Sequence, residues 1–293
     1  MSRNICLFAQ YEPRGTLPVH VRHLLRQIQE CGFRVVMACS GHDTVPDEVA
    51  AFCDANSITV VARANGGLDF GAWQHLIQQG YARGDGALLF ANDSVFGPLR
   101  PLAPLISSLA DADVWGLVDS QEVHWHLQSW FFGLSRAAFE RPAIQRVFAM
   151  PFAGMERAEI VFHGEIGLGV AIRAEGLRVE VAQTSRTGRL SSVFPVNPMH
   201  VHWRTSITSG RVPFLKVEVL RDNAQRIAWL KTWPEAILDT SFFAPQWIET
   251  HLAGLNAKES PPPSIATQLL RGAISQDSGS LGATLKELLK ARR

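Results

Sequence analysis

Ala87-Leu88-Leu89-Phe90-Ala91-Asn92-Asp93-Ser94-Val95-Phe96-Gly97-Pro98 is the stretch on which the fold turns. Five apolar residues run unbroken into Asn-Asp-Ser, and Gly97 and Pro98 then interrupt the chain. A short, unbroken apolar run reads as a strand buried on both faces, as in a parallel α/β sheet. In open sheets of that kind, ligands bind beyond the carboxyl ends of the strands. Asp93 is therefore expected at the rim, where a carboxylate can hold a hard cation such as Mg2+ or Mn2+ that bridges nucleotide phosphates. The same three residue types favour turns, so a plain turn stays open on spacing alone.

Toward the N-terminus, Ile5 to Ala9, Phe33 to Cys39 and Ile58 to Ala62 read as further strands. Between them, Val19 to Glu30 carries Val21, Leu24, Leu25 and Ile28 at helical spacing, and Asp47 to Ala55 is a second short helix. The order β-α-β-α-β is that of a doubly wound parallel sheet. Arg63-Ala64-Asn65-Gly66-Gly67-Leu68-Asp69-Phe70-Gly71-Ala72-Trp73 then reads as a strand end, a glycine loop and a helix from about Ala72 to Gln79. Glycines let backbone approach a ligand, a helix N-terminus favours phosphate, and Arg63 can add a bidentate contact. An ordinary β-α connection, with Asp69 as the N-cap, is the alternative.

Toward the C-terminus, Leu102 to Leu109 reads as a helix and Ala112 to Val118 as a strand ending in Asp119-Ser120. Val123 to Leu134 alternates like a strand, with His126 and Gln128 on its polar face. Ala137 to Phe148 reads as mostly helical, and His163-Gly164-Glu165-Ile166-Gly167-Leu168 opens a helix through Arg173. Leu177 to Ala182 is a further strand, and Asn197 to Trp203 a loop holding His200 and His202. Ser260-Pro261-Pro262-Pro263-Ser264 is a stiff linker to an amphipathic basic end, Leu285 to Arg293. The expected division is residues 1–258 and a tail of 259–293.

The 293 residues carry a net charge of +1, which gives no bulk attraction for nucleic acid. Cys6, Cys31, Cys39 and Cys53 form no Cys-x-x-Cys pair and read as buried free thiols in a reducing compartment. Met1-Ser2-Arg3-Asn4 leads into a strand-length run rather than a signal-peptide core. With no run of about 18 apolar residues, no transmembrane helix is expected and the chain is placed in the cytoplasm.

Seven motifs appear in order: Asp69-Phe70-Gly71-Ala72-Trp73, Asn92 to Pro98, Trp115-Gly116-Leu117, His126-Leu127-Gln128-Ser129-Trp130-Phe131, Asn197-Pro198-x-His200, Pro213-Phe214-Leu215-Lys216 and Leu220-Arg221-Asp222-Asn223. On these the chain resembles the rhamnan synthesis protein F family over about residues 5–256. The resemblance implies a GT-A-like (Rossmann-like), mainly parallel α/β sheet with helices on both faces, as a single domain plus a C-terminal helical tail. It implies an inverting, metal-assisted glycosyltransferase moving rhamnose from a dTDP-rhamnose-like nucleotide-sugar donor to a cell-surface polysaccharide or lipopolysaccharide glycan. Its donor residues would be Arg63, Asn65, Gly67, Asp69, Asn92, Asp93 and Ser94. Such enzymes usually hold the diphosphate through an Asp-x-Asp-like element and Mg2+ or Mn2+. Asn92-Asp93-Ser94 keeps one carboxylate of that element, which leaves the mode of metal binding open.

Glu165 resembles the base of inverting enzymes, with Asp119 as the competing base. A helix first-turn Glu is the plain alternative. His126 and Gln128 would face the sugar or the acceptor, and His200 or His202 would join Asp93 on the cation. The glycan acceptor would be lipid-linked. The basic tail would then rest on an anionic membrane leaflet, or else pack on the protein itself or a partner. Two other classes stay open: a metal-dependent hydrolase using His124, His126, His200 and His202, and a non-catalytic scaffold of a polysaccharide assembly complex.

Overall fold

β1 (Asn4–Tyr11), β2 (Phe33–Ser40), β3 (Thr59–Arg63) and β4 (Leu88–Asn92) pair in parallel in the order β3-β2-β1-β4. The structure, a computed structural model, describes residues 4–186, 196–258, 261, 263–275 and 279–290. It divides into two compact units, Met1–Asp93 with Pro101–Ala182 and Ser94–Arg100 with Gln183–Arg293.

In the first unit, β8 (Phe131–Leu134) pairs antiparallel with β4, and β6 (Val114–Ser120) pairs antiparallel with β8. β6 therefore runs in the same direction as β4. The short β7 (His126–Leu127) lies antiparallel on β6, which β9 (Val179–Gln183) also pairs. This is a mainly parallel, mixed α/β sheet, as expected from the sequence.

Burial on both faces explains the unbroken apolar runs. Ile5, Leu7, Val36, Ala38, Leu88 and Phe90 share one core cluster with Phe70, Trp73 and Leu76 of α3 (Leu68–Gln78). On the opposite pleat Cys6, Phe8, Val35 and Met37 are equally buried. α1 (Val19–Glu30) packs on β2 and buries its Val21, Leu24, Leu25 and Ile28. α2 (Asp47–Ala55) contacts β3. The Phe90 ring stacks 4.9 Å from both Phe132 and Phe148 and meets Trp73 edge-on at 5.5 Å, so β4 is locked at the centre of the core.

Four expectations need correcting. α3 begins at Leu68, not near Ala72, because Gly67 adopts φ +71 as the residue entering the helix. A Cβ on Gly67 would sit 2.8 Å from Phe152 Cβ, so both conformation and space call for glycine there. Asp69 consequently lies in the first turn of α3 and is not its N-cap. Val123 to Leu134 is not one alternating strand: β7 pairs with β6, and the chain then crosses to β4 through Gln128-Ser129-Trp130. The crossing is held by Gln128 N–H to Val118 C=O at 2.9 Å and Asn92 N–H to Trp130 C=O at 3.2 Å.

The helix carrying Glu165 does not open at His163. It opens at α7 (Arg157–Ile160), where Glu156 and Glu159 form a capping box, passes through a π-helical turn at Val161–Ile166 and continues as α8 (Gly167–Ala174). Glu165 is therefore in mid-helix, and the first-turn alternative falls. Cys31 is only half-buried, whereas Cys6, Cys39 and Cys53 are buried. Helices α4 (Ala103–Leu109), α5 (Arg136–Phe139) and α6 (Pro142–Phe148) complete this unit.

The second unit contains β5 (Val95–Phe96) antiparallel to β10 (Leu215–Lys216) and a core around Trp203, Ile207, Trp229, Phe243 and Ile248. Helices Ile265–Ile274 and Ser280–Lys290 pack on each other, and the second contacts the helical segment Ala228–Ala236. Leu281, Leu285 and Leu289 remain exposed on the last helix. No described helix is long and apolar enough to cross a membrane.

Candidate active site

β1 to β4 and β6 run in one direction, so Arg63, Asn92 and Asp119, at the carboxyl ends of β3, β4 and β6, stand along one edge of the sheet. Asp93 follows β4 directly. Its Oδ2 accepts the Tyr11 N–H from the end of β1 at 2.8 Å. Removal from bulk water pushes the Asp93 carboxyl up to about 7; the Tyr11 amide and its own N–H oppose this, while the charges of Asp69 and Glu12 add to it. Asn92 Nδ2 donates to Asp69 Oδ2 at 2.5 Å. Glu12 is paired with Arg14 at 2.6 Å. Among the described residues no three His, Cys, Asp or Glu side chains converge as a ready metal site.

Arg63 is engaged locally. It donates to Ser40 Oγ at 3.0 Å and to the Gly66 carbonyl at 2.7 Å, and burial lowers its pKa. Arg63 thus ties the glycine loop to β2, while Asn65 is exposed and Gly67 buried.

The Asp93 environment has a consequence for stability. The folded chain keeps a proton on Asp93 up to about 7, whereas an ordinary Asp releases it near 3.8. Between those values the folded state binds more protons, so stability falls as pH rises through the window. The melting temperature of the metal-free protein is expected to drop more steeply from about pH 5 to about pH 8 in wild type than in Asp93→Asn. Parallel curves would contradict this environment.

The second group lies beside β7. Glu165 Oε1 accepts the Ser129 N–H at 3.2 Å and a short hydrogen bond from the Ser129 hydroxyl. Glu165 Oε2 lies 3.8 Å from His126 Nε2, with the Glu165 side chain 22% exposed and that of His126 6%. The other imidazole nitrogen, Nδ1, is 2.9 Å from the His124 carbonyl oxygen. Asp119 is buried on β6 and accepts the Trp125 indole N–H at 3.1 Å. Arg173 stacks over the same Trp125 ring at 4.8 Å. Gln128 is turned inward and accepts the Trp130 indole N–H at 3.0 Å. The bond from Asn92 to Trp130 joins this segment to the end of β4, beside Asp93.

Close approach of the helix to β7 makes this grouping possible. A Cβ on Gly169 would lie 2.4 Å from the Trp125 carbonyl oxygen and 2.9 Å from His126 Cα. Backbone cannot yield as a side chain does, so Gly169→Ala must push α8 away from β7. The expected cost is about 1–3 kcal/mol, read as a lower denaturant midpoint, with Glu165 withdrawn from Ser129. An unchanged midpoint would contradict this packing.

In the second unit, His200 Nε2 is 3.2 Å from Glu218 Oε1, which also pairs with Lys216 at 3.6 Å. His202 is buried, its Nδ1 3.3 Å from the Ser275 carbonyl and its Nε2 without a hydrogen-bond partner among the described residues; burial lowers its pKa. Ser94 accepts the Val217 N–H on its backbone carbonyl at 2.9 Å. The two His-x-His pairs do not form a ligand cluster among the described residues, so the hydrolase reading finds no metal centre there.

Sequence reasoning missed Tyr11, Trp125 and Ser129. Tyr11 contributes only a backbone amide, which no side-chain pattern signals. Ser129 sits inside the His126-to-Phe131 motif, two residues beyond Leu127 of β7, and its position there was the available signal.

The rhamnan synthesis protein F family profile matches residues 41–255. The virulence protein VirA of Vibrio anguillarum is 29% identical over 194 residues, which cover 56% of this chain and 62% of VirA. The chain thus matches less than two thirds of that relative's length. Among solved structures, the mannosyltransferase PcManGT from Pyrobaculum calidifontis, in complex with GDP-Man and Mn2+, is 16% identical at a TM-score of 0.39, covering 99% of this chain and 80% of that one. The inositol-1-phosphate CTP transferase from T. maritima is 10% identical at a TM-score of 0.36, covering 61% and 84% respectively.

Proposed function

The chain belongs to the rhamnan synthesis protein F family, and from that premise we propose that it is an inverting glycosyltransferase using a nucleotide-sugar donor. The observation that carries the reading is the shared edge. The Asp93 carboxylate, anchored by the Tyr11 N–H, stands directly after β4, and a partly exposed Glu165 is held beside the segment bonded to that same strand end. One carboxylate for the donor's leaving group and another for the acceptor's proton are what inverting transfer needs.

Asp93 fits a divalent cation. Mg2+ and Mn2+ sites commonly use one or two carboxylates and complete their shell with substrate phosphates and water, so a single strand-end Asp suffices. Bound there, Mg2+ or Mn2+ would supply charge neutralisation for the leaving diphosphate. Asn92, through its bond to Asp69, fixes both residues beside Asp93. Gly67 and the start of α3 offer backbone N–H groups to the donor, and Asn65 an exposed amide.

Glu165 is assigned as the base. Asp119 is 5% exposed and occupied by Trp125, which suits a positioning part rather than contact with a sugar hydroxyl. His126 faces the same oxygen of Glu165 that the acceptor would approach, and Gln128 braces Trp130. L-Rhamnose as the transferred sugar follows the family and fits a dTDP-linked donor; a cell-surface glycan is the acceptor.

A thermal-shift screen of dTDP-L-rhamnose, GDP-mannose and UDP-glucose, each with and without Mn2+, tests the donor class. A ligand at 100 times its dissociation constant should stabilise by about 2.7 kcal/mol. No shift with any of them would contradict a nucleotide-sugar site.

A further inference from the structure

We propose that Ser129 is the positioning residue of the base, fixing which oxygen of Glu165 takes the proton. The inference rests on Glu165 being that base. Ser129 commits its hydroxyl and its backbone N–H to Oε1 alone. An oxygen already receiving two hydrogen bonds is the weaker proton acceptor, so Oε2 is the reactive one.

The surroundings of Oε2 agree. Oε2 faces His126 Nε2 at 3.8 Å, beyond hydrogen-bond reach. A carbonyl only accepts, so the 2.9 Å contact to His124 places a hydrogen on Nδ1 of His126. In the neutral imidazole Nε2 then presents a lone pair. Two acceptors facing each other suit a hydroxyl that brings its own hydrogen.

The step balances. The acceptor O–H bond breaks and its proton goes to Oε2. The freed oxygen lone pair forms the bond to the anomeric carbon. The bond from that carbon to the diphosphate oxygen breaks, and its electron pair leaves on the diphosphate. Ser129 enforces the arrangement by preventing rotation of the carboxylate.

Ser129→Ala is tested with dTDP-L-rhamnose, Mn2+ and methyl α-L-rhamnopyranoside as probes. The expected result is a kcat lower by about tenfold, because the carboxylate is no longer held with Oε2 toward the acceptor. The donor dissociation constant should be unchanged. Ser129→Thr should restore kcat. Where Ser129→Ala does not fold, Ser129→Cys carries the same expectation, a thiol being a weak donor. Wild-type kcat in Ser129→Ala, a donor dissociation constant that worsens along with kcat, or no rescue by Ser129→Thr would overturn the inference. Full turnover in Glu165→Gln would instead overturn the base assignment. An inactive Glu165→Gln beside a wild-type-like Ser129→Ala would overturn the present inference alone.

Discussion

Glu165→Gln is expected to lower turnover by about 10²–10⁴-fold, the usual contribution of a positioned general base. Donor binding should hardly change. Glutamine keeps the shape of the side chain, and its carbonyl oxygen can still accept from Ser129, so the local packing survives. What disappears is the ability to take a proton. The expected signature is therefore a fall in kcat with an unaltered donor dissociation constant, the pattern of an interaction made only in the transition state. Wild-type turnover in this variant would move the base to Asp119. That alternative carries its own difficulty, because Asp119 is buried and bonded to the Trp125 indole.

Asp93→Ala is expected to act differently, damaging donor affinity and turnover together. Losing one group that stabilises developing charge costs about 10²–10³-fold in turnover. The same carboxylate is proposed to hold the cation that the donor diphosphate shares, so the dissociation constant rises as well. Asp93 also gives the wild type a pH signature. Its carboxyl titrates at about 7 in the metal-free protein, and a cation must displace that proton. Mn2+-dependent donor affinity should weaken about tenfold for each pH unit below about 7. A pH-independent affinity, or an Asp93→Ala variant that loses turnover alone, would remove Asp93 from the donor site.

The parts of the fold that were legible in the sequence are those where one physical signal dominates. Burial on both faces writes itself as unbroken apolar runs, so β1, β2 and β4 were readable. The helical spacing of Val21, Leu24, Leu25 and Ile28 marked α1 to the residue. Errors arose where tertiary contact overrides local pattern. α3 starts early because Gly67 takes a left-handed conformation against Phe152. The 123–134 segment looked like one strand because alternation persists through a crossing between two different strand partners. The start of α7 was missed because Glu156 is an unusual cap residue.

The candidate site divides the same way. Asp93 and Glu165 could be singled out as carboxylates in informative contexts. Their surroundings could not, since the Tyr11 amide and Ser129 reach them across 82 and 36 residues of sequence. Arg63 shows the reverse case. Its position suggested phosphate, while the fold spends its donors on Ser40 and Gly66.

The central claim is transfer of a sugar with inversion, and the product itself tests it most directly. The protein is incubated with dTDP-L-rhamnose, Mn2+ and a glycan acceptor, and the anomeric configuration of the product is read by proton NMR while nucleoside diphosphate release is followed. The account predicts a new glycoside of inverted configuration, with diphosphate released only when acceptor is present. A retained configuration, or free sugar released without acceptor, would contradict it.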